Sequence, residues 1–289
     1  MHLRNSMNTK FINLFLIPFA ITLTGCSKED VSNTIFTSIY PVYDFVNRIV
    51  GDKYKVVNLT PAGMEPHDFE LSAKQITKLV EAKATFISGV TMEHWYDSLP
   101  TKAKEKTYVV SKDIEIQYVD GQIDPHVWLS PINAIKELEN IVSYLNTIDP
   151  TNSGYYQENY LKAKAEFTLL DTSYKQDAAT FVNKNVVVAH AAYGYLFNEY
   201  GLNQISVNGV EPDKEPSSKT IEDIINKVKE YNITTIFTEE LISDKIAKQI
   251  AKECGVKVDV LNPFETIDGD ENYISVMKDN LMRLGRACK

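Results

Sequence analysis

TNSGYYQENYLKAKAEFTLLDTSYKQDAATF, residues 151–181, is a long stretch with no convincing strand signal. Helix formers fill it, and Tyr156, Tyr160, Ala163, Phe167, Leu170 and Tyr174 recur at steps of three and four, the spacing of one helical face. Asp149-Pro150-Thr151 suits its start, because proline is tolerated in a first turn and Thr or Asp can cap. About thirty residues rising 1.5 Å each make a rod of roughly 45 Å. Such a rod can join two lobes.

On both sides of the rod, β-rich apolar runs alternate with helical patterns. Before it, 34–39, 55–59, 85–88 and 107–110 read as strands, and 43–50, 73–82 and 131–145 as helices. After it, 185–189, 204–207, 234–238 and 257–261 read as strands, with helices at 220–231, 243–254 and 271–284. Strand–helix alternation implies parallel sheets covered by helices. The expectation is an α/β chain with an N-terminal lobe at 34–149, a linking helix at 150–183 and a C-terminal lobe at 184–289.

Composition narrows the function. With 44% apolar and 24% charged residues over 289 positions, the chain is neither wholly disordered nor a multi-span membrane protein. Thirty basic against thirty-nine acidic residues, a net −9, exclude a phosphate backbone as partner, so no nucleic acid is expected.

The first ten residues carry Arg4 and Lys10 and no acid, and 11–23 is an apolar run of secretory length. That run falls short of the roughly 20 residues a membrane span needs. It stops at Leu23-Thr24-Gly25-Cys26, which resembles a bacterial lipobox. Residues 1–25 are therefore expected to be a lipoprotein signal peptide and 26–33 a tether anchored by lipid on Cys26. A plain signal peptide with an incidental cysteine is the bland alternative, and export follows under both. Cys254 and Cys288 remain, a pair that an oxidising compartment permits to join.

Three histidines stand beside strand ends or in loops that open helices, where open α/β sheets collect ligands. His67 lies in GMEPHDFE (63–70), His126 in DPHVWL (124–129), and His190 closes the run that begins at Val186. One such imidazole alone is more often a surface or hydrogen-bonded residue. Three at one topological end, drawn from both halves, suggest nitrogens converging on a first-row divalent ion, with zinc–nitrogen bonds of roughly 2.0–2.1 Å. A fourth ligand is needed, and spacing alone does not choose among Glu239, Glu240 and Glu265.

The strings GMEPHDFE, DPHVWLSP (124–131), AHAAYGYL (189–196), GVEPDKEPSS (209–218) and LNPFE (261–265) resemble the zinc and manganese substrate-binding lipoproteins of bacterial ABC importers, the ZnuA/AdcA and TroA/PsaA-like family. The resemblance runs in order through essentially the whole chain after the leader. It implies a metal cleft between two lobes joined by one long rigid helix, with His67 and His126 as ligands. At the third position it implies His190, where manganese-type members commonly carry Glu, which favours Zn²⁺ over the alternative Mn²⁺. The fourth ligand is then an acid in the loop before the last helix: Glu265, with Asp268 and Asp270 as rivals. The implied function is ion capture outside the membrane by a monomer that is not an enzyme, with delivery to an ABC permease and its ATPase.

Zinc-type members often carry a His-rich loop before the second ligand, but 111–123 holds no histidine, so no accessory metal-gathering loop is expected. A ligating imidazole usually gives its other N–H to a carboxylate or carbonyl, and Glu65, Asp124 and Glu240 are the candidates. His94 follows the strand ending near Ser88 and could approach the cleft mouth, but the family has no ligand there, so it is read as a surface residue or a neighbour of the ligands, and Trp128, Tyr193 and Tyr195 as core or cleft-wall packing. A zinc hydrolase is the rival of another class, but it needs an open water position and no H-E-x-x-H is present. Adhesion to host surfaces, assigned to some family members, is a third reading that no residue here predicts.

Overall fold

The computed structural model describes residues 30–212, 216–240, 243–266 and 271–289; the leader, Cys26, Asp268 and Asp270 lie outside them. Val31–Lys289 forms one compact unit. Its first half runs β1 (Thr34–Thr37), α1 (Tyr40–Val50), β2 (Lys55–Asn58), α2 (Ala73–Glu81), β3 (Ala84–Ile87), the single turn α3 (Thr101–Lys104) and β4 (Thr107–Val109). A small antiparallel hairpin, β5 (Tyr118–Val119) and β6 (Gln122–Ile123), precedes α4 (Pro131–Ile148) and the long α5 (Ser153–Thr180). The second half continues β7 (Asn185–Val188), α6 (Gly194–Glu199), β8 (Asn203–Ser206), α7 (Ser218–Glu230), β9 (Thr235–Thr238), α8 (Lys245–Cys254), β10 (Lys257–Val260) and α9 (Tyr273–Cys288). Among the described residues, no helix is long and apolar enough to cross a membrane.

Two four-stranded parallel sheets result, ordered β2-β1-β3-β4 and β10-β9-β7-β8. Counted within its own half, each sheet has the order second, first, third, fourth. In each, the winding direction reverses between the first and third strands, and a crevice opens at their carboxyl ends. Ser38 and Ser88 follow those strands in one sheet, His190 and Glu239 in the other. The inner strands read ATFI and NVVV because both of their faces are covered.

The 28 residues of α5 span roughly 42 Å at 1.5 Å per residue. Its predicted stripe is buried from Tyr156 through Tyr174 and continues to Ala178. The first part of the stripe packs on α1 and α4, the second on α9. Phe167 stacks on Tyr273 with ring centroids 4.7 Å apart and meets Phe45 edge-on at 5.5 Å. The Tyr174 hydroxyl donates to the Met277 carbonyl at 2.7 Å. A single apolar core therefore runs from Phe45 and Phe86 through Phe167 to Phe197 and Phe237, across both lobes.

Smaller clusters cover the outer faces, with Phe36, Leu79 and Trp95 on one sheet and Val187, Ile236 and Ile250 on the other. Strand alternation sorts these faces, since Val186 and Val188 join the shared core while Val187 points out. The same sorting keeps the last two cysteines apart. Cys288 lies in the shared core and Cys254 against the outer cluster, and both thiols are free, so the bridge held open by the sequence is not formed.

Since α5 serves both lobes, Phe167→Ala is expected to destabilise the whole unit by about 3–5 kcal/mol. Urea unfolding followed by circular dichroism and by tryptophan fluorescence should give coincident transitions with a lowered midpoint. Separate transitions would mean that the lobes do not share a core.

Candidate metal centre

Each candidate residue sits on a short, well-tied piece of backbone beyond a strand. His67 lies in a 3₁₀ turn, Pro66–Asp68, where Pro66 presets the first turn and the Glu65 carboxylate accepts the His67 backbone N–H at 3.3 Å. Asp124 accepts both the backbone N–H of His126 at 3.0 Å and its ring Nδ1–H at 2.7 Å. That pair of bonds fixes the tautomer and turns Nε2 inward. His190 follows β7, with Nδ1 3.2 Å from Glu239 Oε2 and Nε2 3.0 Å from the Val210 carbonyl.

Glu265 ends a stiff turn after β10. The Phe264 N–H donates to Asn262 Oδ1, Asn280 bonds both backbone groups of Asn262, and buried Phe264 adopts φ +60°. A bulky residue at positive φ is an outlier that the surroundings must enforce. Tyr40 and Tyr273 clasp its ring edge-on, and the Trp128 indole N–H donates to the Pro263 carbonyl at 2.8 Å.

His67, His126, His190 and Glu265 are brought together, all four buried, with their donor atoms within 4.8 Å of one another. His67 Nε2 and His126 Nε2 lie 3.1 Å apart, and Glu265 Oε1 is 3.0 Å from the latter and 3.8 Å from the former. Glu239 Oε1 and Asp124 Oδ2 are buried oxygens with no hydrogen-bond donor among the described residues. Such orphans are expensive unless a cation satisfies them.

Charge in the cluster is tightly balanced. Burial pulls His126 down, but hydrogen bonds to Asp124 and Glu265 outweigh it and push the ring up to about 10. Burial also opposes the charge on His190, yet Glu239 leaves that ring above the ordinary histidine value. His67, with burial dominant, falls below it. Glu265 is held well below the carboxylate range by His126 and His67 despite its burial, while burial and the Glu265 charge push Glu65 up to about 8.

The carboxylate facing His190 is Glu239, and this corrects the reading of Glu240 as its partner. Adjacent residues leaving a strand face opposite ways, so Glu239 turns in at 6% exposure while Glu240 is exposed and lines a separate cavity. Glu65 serves the backbone of His67 rather than its ring. Trp128, Tyr193 and Tyr195 are buried as packing residues, and the Tyr195 hydroxyl accepts the Gln117 N–H across the seam. His94 is exposed, on the wall of a cavity of about 370 Å³ that His67 also lines. Gly194 went unnoticed in the sequence. A Cβ there would meet Asp124 Oδ2 at 2.5 Å, so only glycine lets the second lobe close on Asp124.

Two parallel α/β lobes fused along one helix, with histidines and a carboxylate at their seam, define the helix-linked class of solute-binding proteins. The chain belongs to the family described as ZnuA, zinc-uptake complex component A, periplasmic, whose model matches residues 35–287. It is 34% identical to the zinc-binding lipoprotein AdcA of Streptococcus pneumoniae, over 95% of this chain and 60% of that protein. It thus spans less than two thirds of that relative's length. The laminin-binding protein Lmb of Streptococcus agalactiae, titled a bifunctional protein with adhesin and metal-transporting activity, superimposes with a TM-score of 0.85 at 32% identity, over 89% of this chain and 100% of that one. The Zn(II)-bound ZnuA-like domain of S. pneumoniae AdcA gives 0.79 at 36% identity, covering 89% of this chain and 99% of that one.

Gly194→Ala is expected to push Asp124 off the His126 ring. The His126 titration midpoint, read by NMR of the imidazole protons, should fall from about 10 toward the ordinary value. An unmoved midpoint would mean that Asp124 does not hold the ring.

Proposed function

We propose that the chain captures a divalent transition-metal ion, zinc, outside the cell and passes it to the permease and ATPase of an ABC importer. The observation that carries this reading is the convergence of three imidazoles and one carboxylate from both lobes within 4.8 Å. A tetrahedral ion with bonds of roughly 2.0–2.1 Å spaces its donors about 3.3 Å apart. The 3.0 and 3.1 Å separations among His67, His126 and Glu265 are close to that edge. The family and the zinc-bound relative point the same way.

His67 and His126 supply nitrogen from the first lobe, His190 nitrogen and Glu265 oxygen from the second. The donor set suits zinc; manganese-type sites commonly replace the third imidazole with a carboxylate, and calcium and magnesium prefer all-oxygen cages. With Glu265 closing the fourth position, no site remains for the activated water of a hydrolase. The protein is a binding protein rather than an enzyme. Residues 1–25 form the lipoprotein signal peptide, lipid on Cys26 and the tether 26–33 hold the protein at the outer face of the cytoplasmic membrane, and 150–183 links lobes 34–149 and 184–289 in a monomer.

Both ring nitrogens of His190 already face protein acceptors, so taking the ion costs one of those contacts. His126 holds a proton at pH 7 that the ion has to expel. Zinc titration calorimetry in buffers of different ionisation heat should therefore record at least one proton released per ion. Affinity should fall as pH drops, because protons then compete more strongly for the same nitrogens. Release of no proton would contradict the assigned charge state.

The direct test is metal content after purification from the native host, beside a His190→Ala variant. Losing a supporting partner typically costs 10–100-fold in metal affinity, and losing a ligand should cost at least the upper end of that. A variant that keeps wild-type zinc stoichiometry and affinity would sink the ligand set.

A further inference from the structure

The cavity of about 370 Å³ has His67 on one wall, with His94 and Thr91 beside it, and Val210 and Glu211 on the other. Val210 is the residue whose carbonyl holds His190 Nε2. The cavity thus reaches one of the four buried residues, His67, and on the other side of the seam the residue that holds a second, His190. His94 of the first lobe and Glu211 of the second both line the cavity.

The presentation of His94 is built rather than incidental. It lies in the loop Ser88-Gly89-Val90-Thr91-Met92-Glu93-His94-Trp95, where Gly89, Val90 and Thr91 all adopt positive φ, at 84°, 52° and 69°. Gly89 also has no room for a side chain, since a Cβ would meet Val109 Cγ1 at 2.4 Å. Two consecutive β-branched residues at positive φ persist only where the surroundings impose it, and such backbone gathers at functional sites. Here the restraint is Glu93, whose buried carboxylate accepts the N–H groups of Ser88 and Gly89, both at 2.8 Å. Met92, Glu93 and Trp95 are all buried, and His94 between them turns outward. The loop exposes Thr91 and His94 to the cavity, and buried neighbours hold His94 on both sides.

We propose that His94 and Glu211 form an outer station at the cavity mouth, where a hydrated divalent transition-metal ion first docks before moving inward to His67. The inference rests on the buried cluster being the ion's destination. Imidazole with carboxylate suits a first-row ion that still keeps most of its water. Two ligands hold it weakly, as an entry station requires, and a local field of fitting sign raises the encounter rate.

The test uses the full chain and zinc chloride. Stopped-flow competition against a fluorescent chelator gives the association rate, and equilibrium competition gives affinity and stoichiometry. His94→Ala and, separately, Glu211→Gln are expected to slow association by about tenfold, at the low end of what steering supplies. Final affinity and one-ion stoichiometry should stay unchanged, so dissociation slows in step. In the zinc-loaded protein, further zinc in the millimolar range should shift the His94 ring resonances. Unchanged association in both variants, or unmoved His94 resonances, would overturn the station while leaving the buried cluster intact. A wild-type chain that takes up no zinc would overturn the station and the buried cluster together.

Discussion

The Trp128 indole N–H reaches across the seam to the Pro263 carbonyl, while the Trp128 carbonyl accepts from the Tyr273 hydroxyl, both at 2.8 Å. Trp128 stands two residues beyond His126, and Pro263 two residues before Glu265. These two bonds, buried where water cannot compete, set the separation of a first-lobe imidazole from a second-lobe carboxylate. The rest of the site is arranged on that ruler. Asp124 turns the ring, Gly194 lets the second lobe close on Asp124, and Asn262 with Asn280 stiffens the turn that carries Glu265. Donors fixed before the ion arrives leave it little ordering to impose.

His190 is held differently from the other three donors. His67, His126 and Glu265 already lie near one another's reach, whereas both nitrogens of His190 are occupied by Glu239 and Val210 of its own lobe. Because one apolar core runs through both lobes, a hinge between them would have to tear Phe167 from Tyr273 or Phe45. Adjustment at the site therefore falls to the loops, including the one whose Val210 carbonyl His190 would have to leave.

Much of this was legible in the chain. The stripe from Tyr156 to Tyr174 announced the linking helix because a buried helical face repeats every three to four residues over many turns. The strands were readable because two-sided burial leaves continuous apolar runs. The three histidines could be located by their motifs, and the resemblance moved the fourth ligand to the loop before the last helix, with Glu265 ahead of its rivals Asp268 and Asp270, where spacing left three acids level. Short elements escaped: α6 begins with glycine and has no side-chain cap, and the β5–β6 hairpin pairs only two residues per strand. Glu239 and Glu240 could not be separated because one position decides which face a residue leaves on, and that register is set by Phe237 and Thr238 packing in three dimensions. The free cysteines follow from the same sidedness, which sequence spacing does not reveal.

The shared core also has a temporal consequence. Arg48 bonds Asn272 across 224 residues of chain, and Phe45 meets Tyr273 at 5.1 Å over a similar span. Contacts between such distant segments reward the chain only after a very large loop has closed, so folding is slow and comes late. The reverse passage is equally concerted: neither lobe can fray open while the other stays shut. A protease that needs either lobe opened would have to wait for the shared core to part.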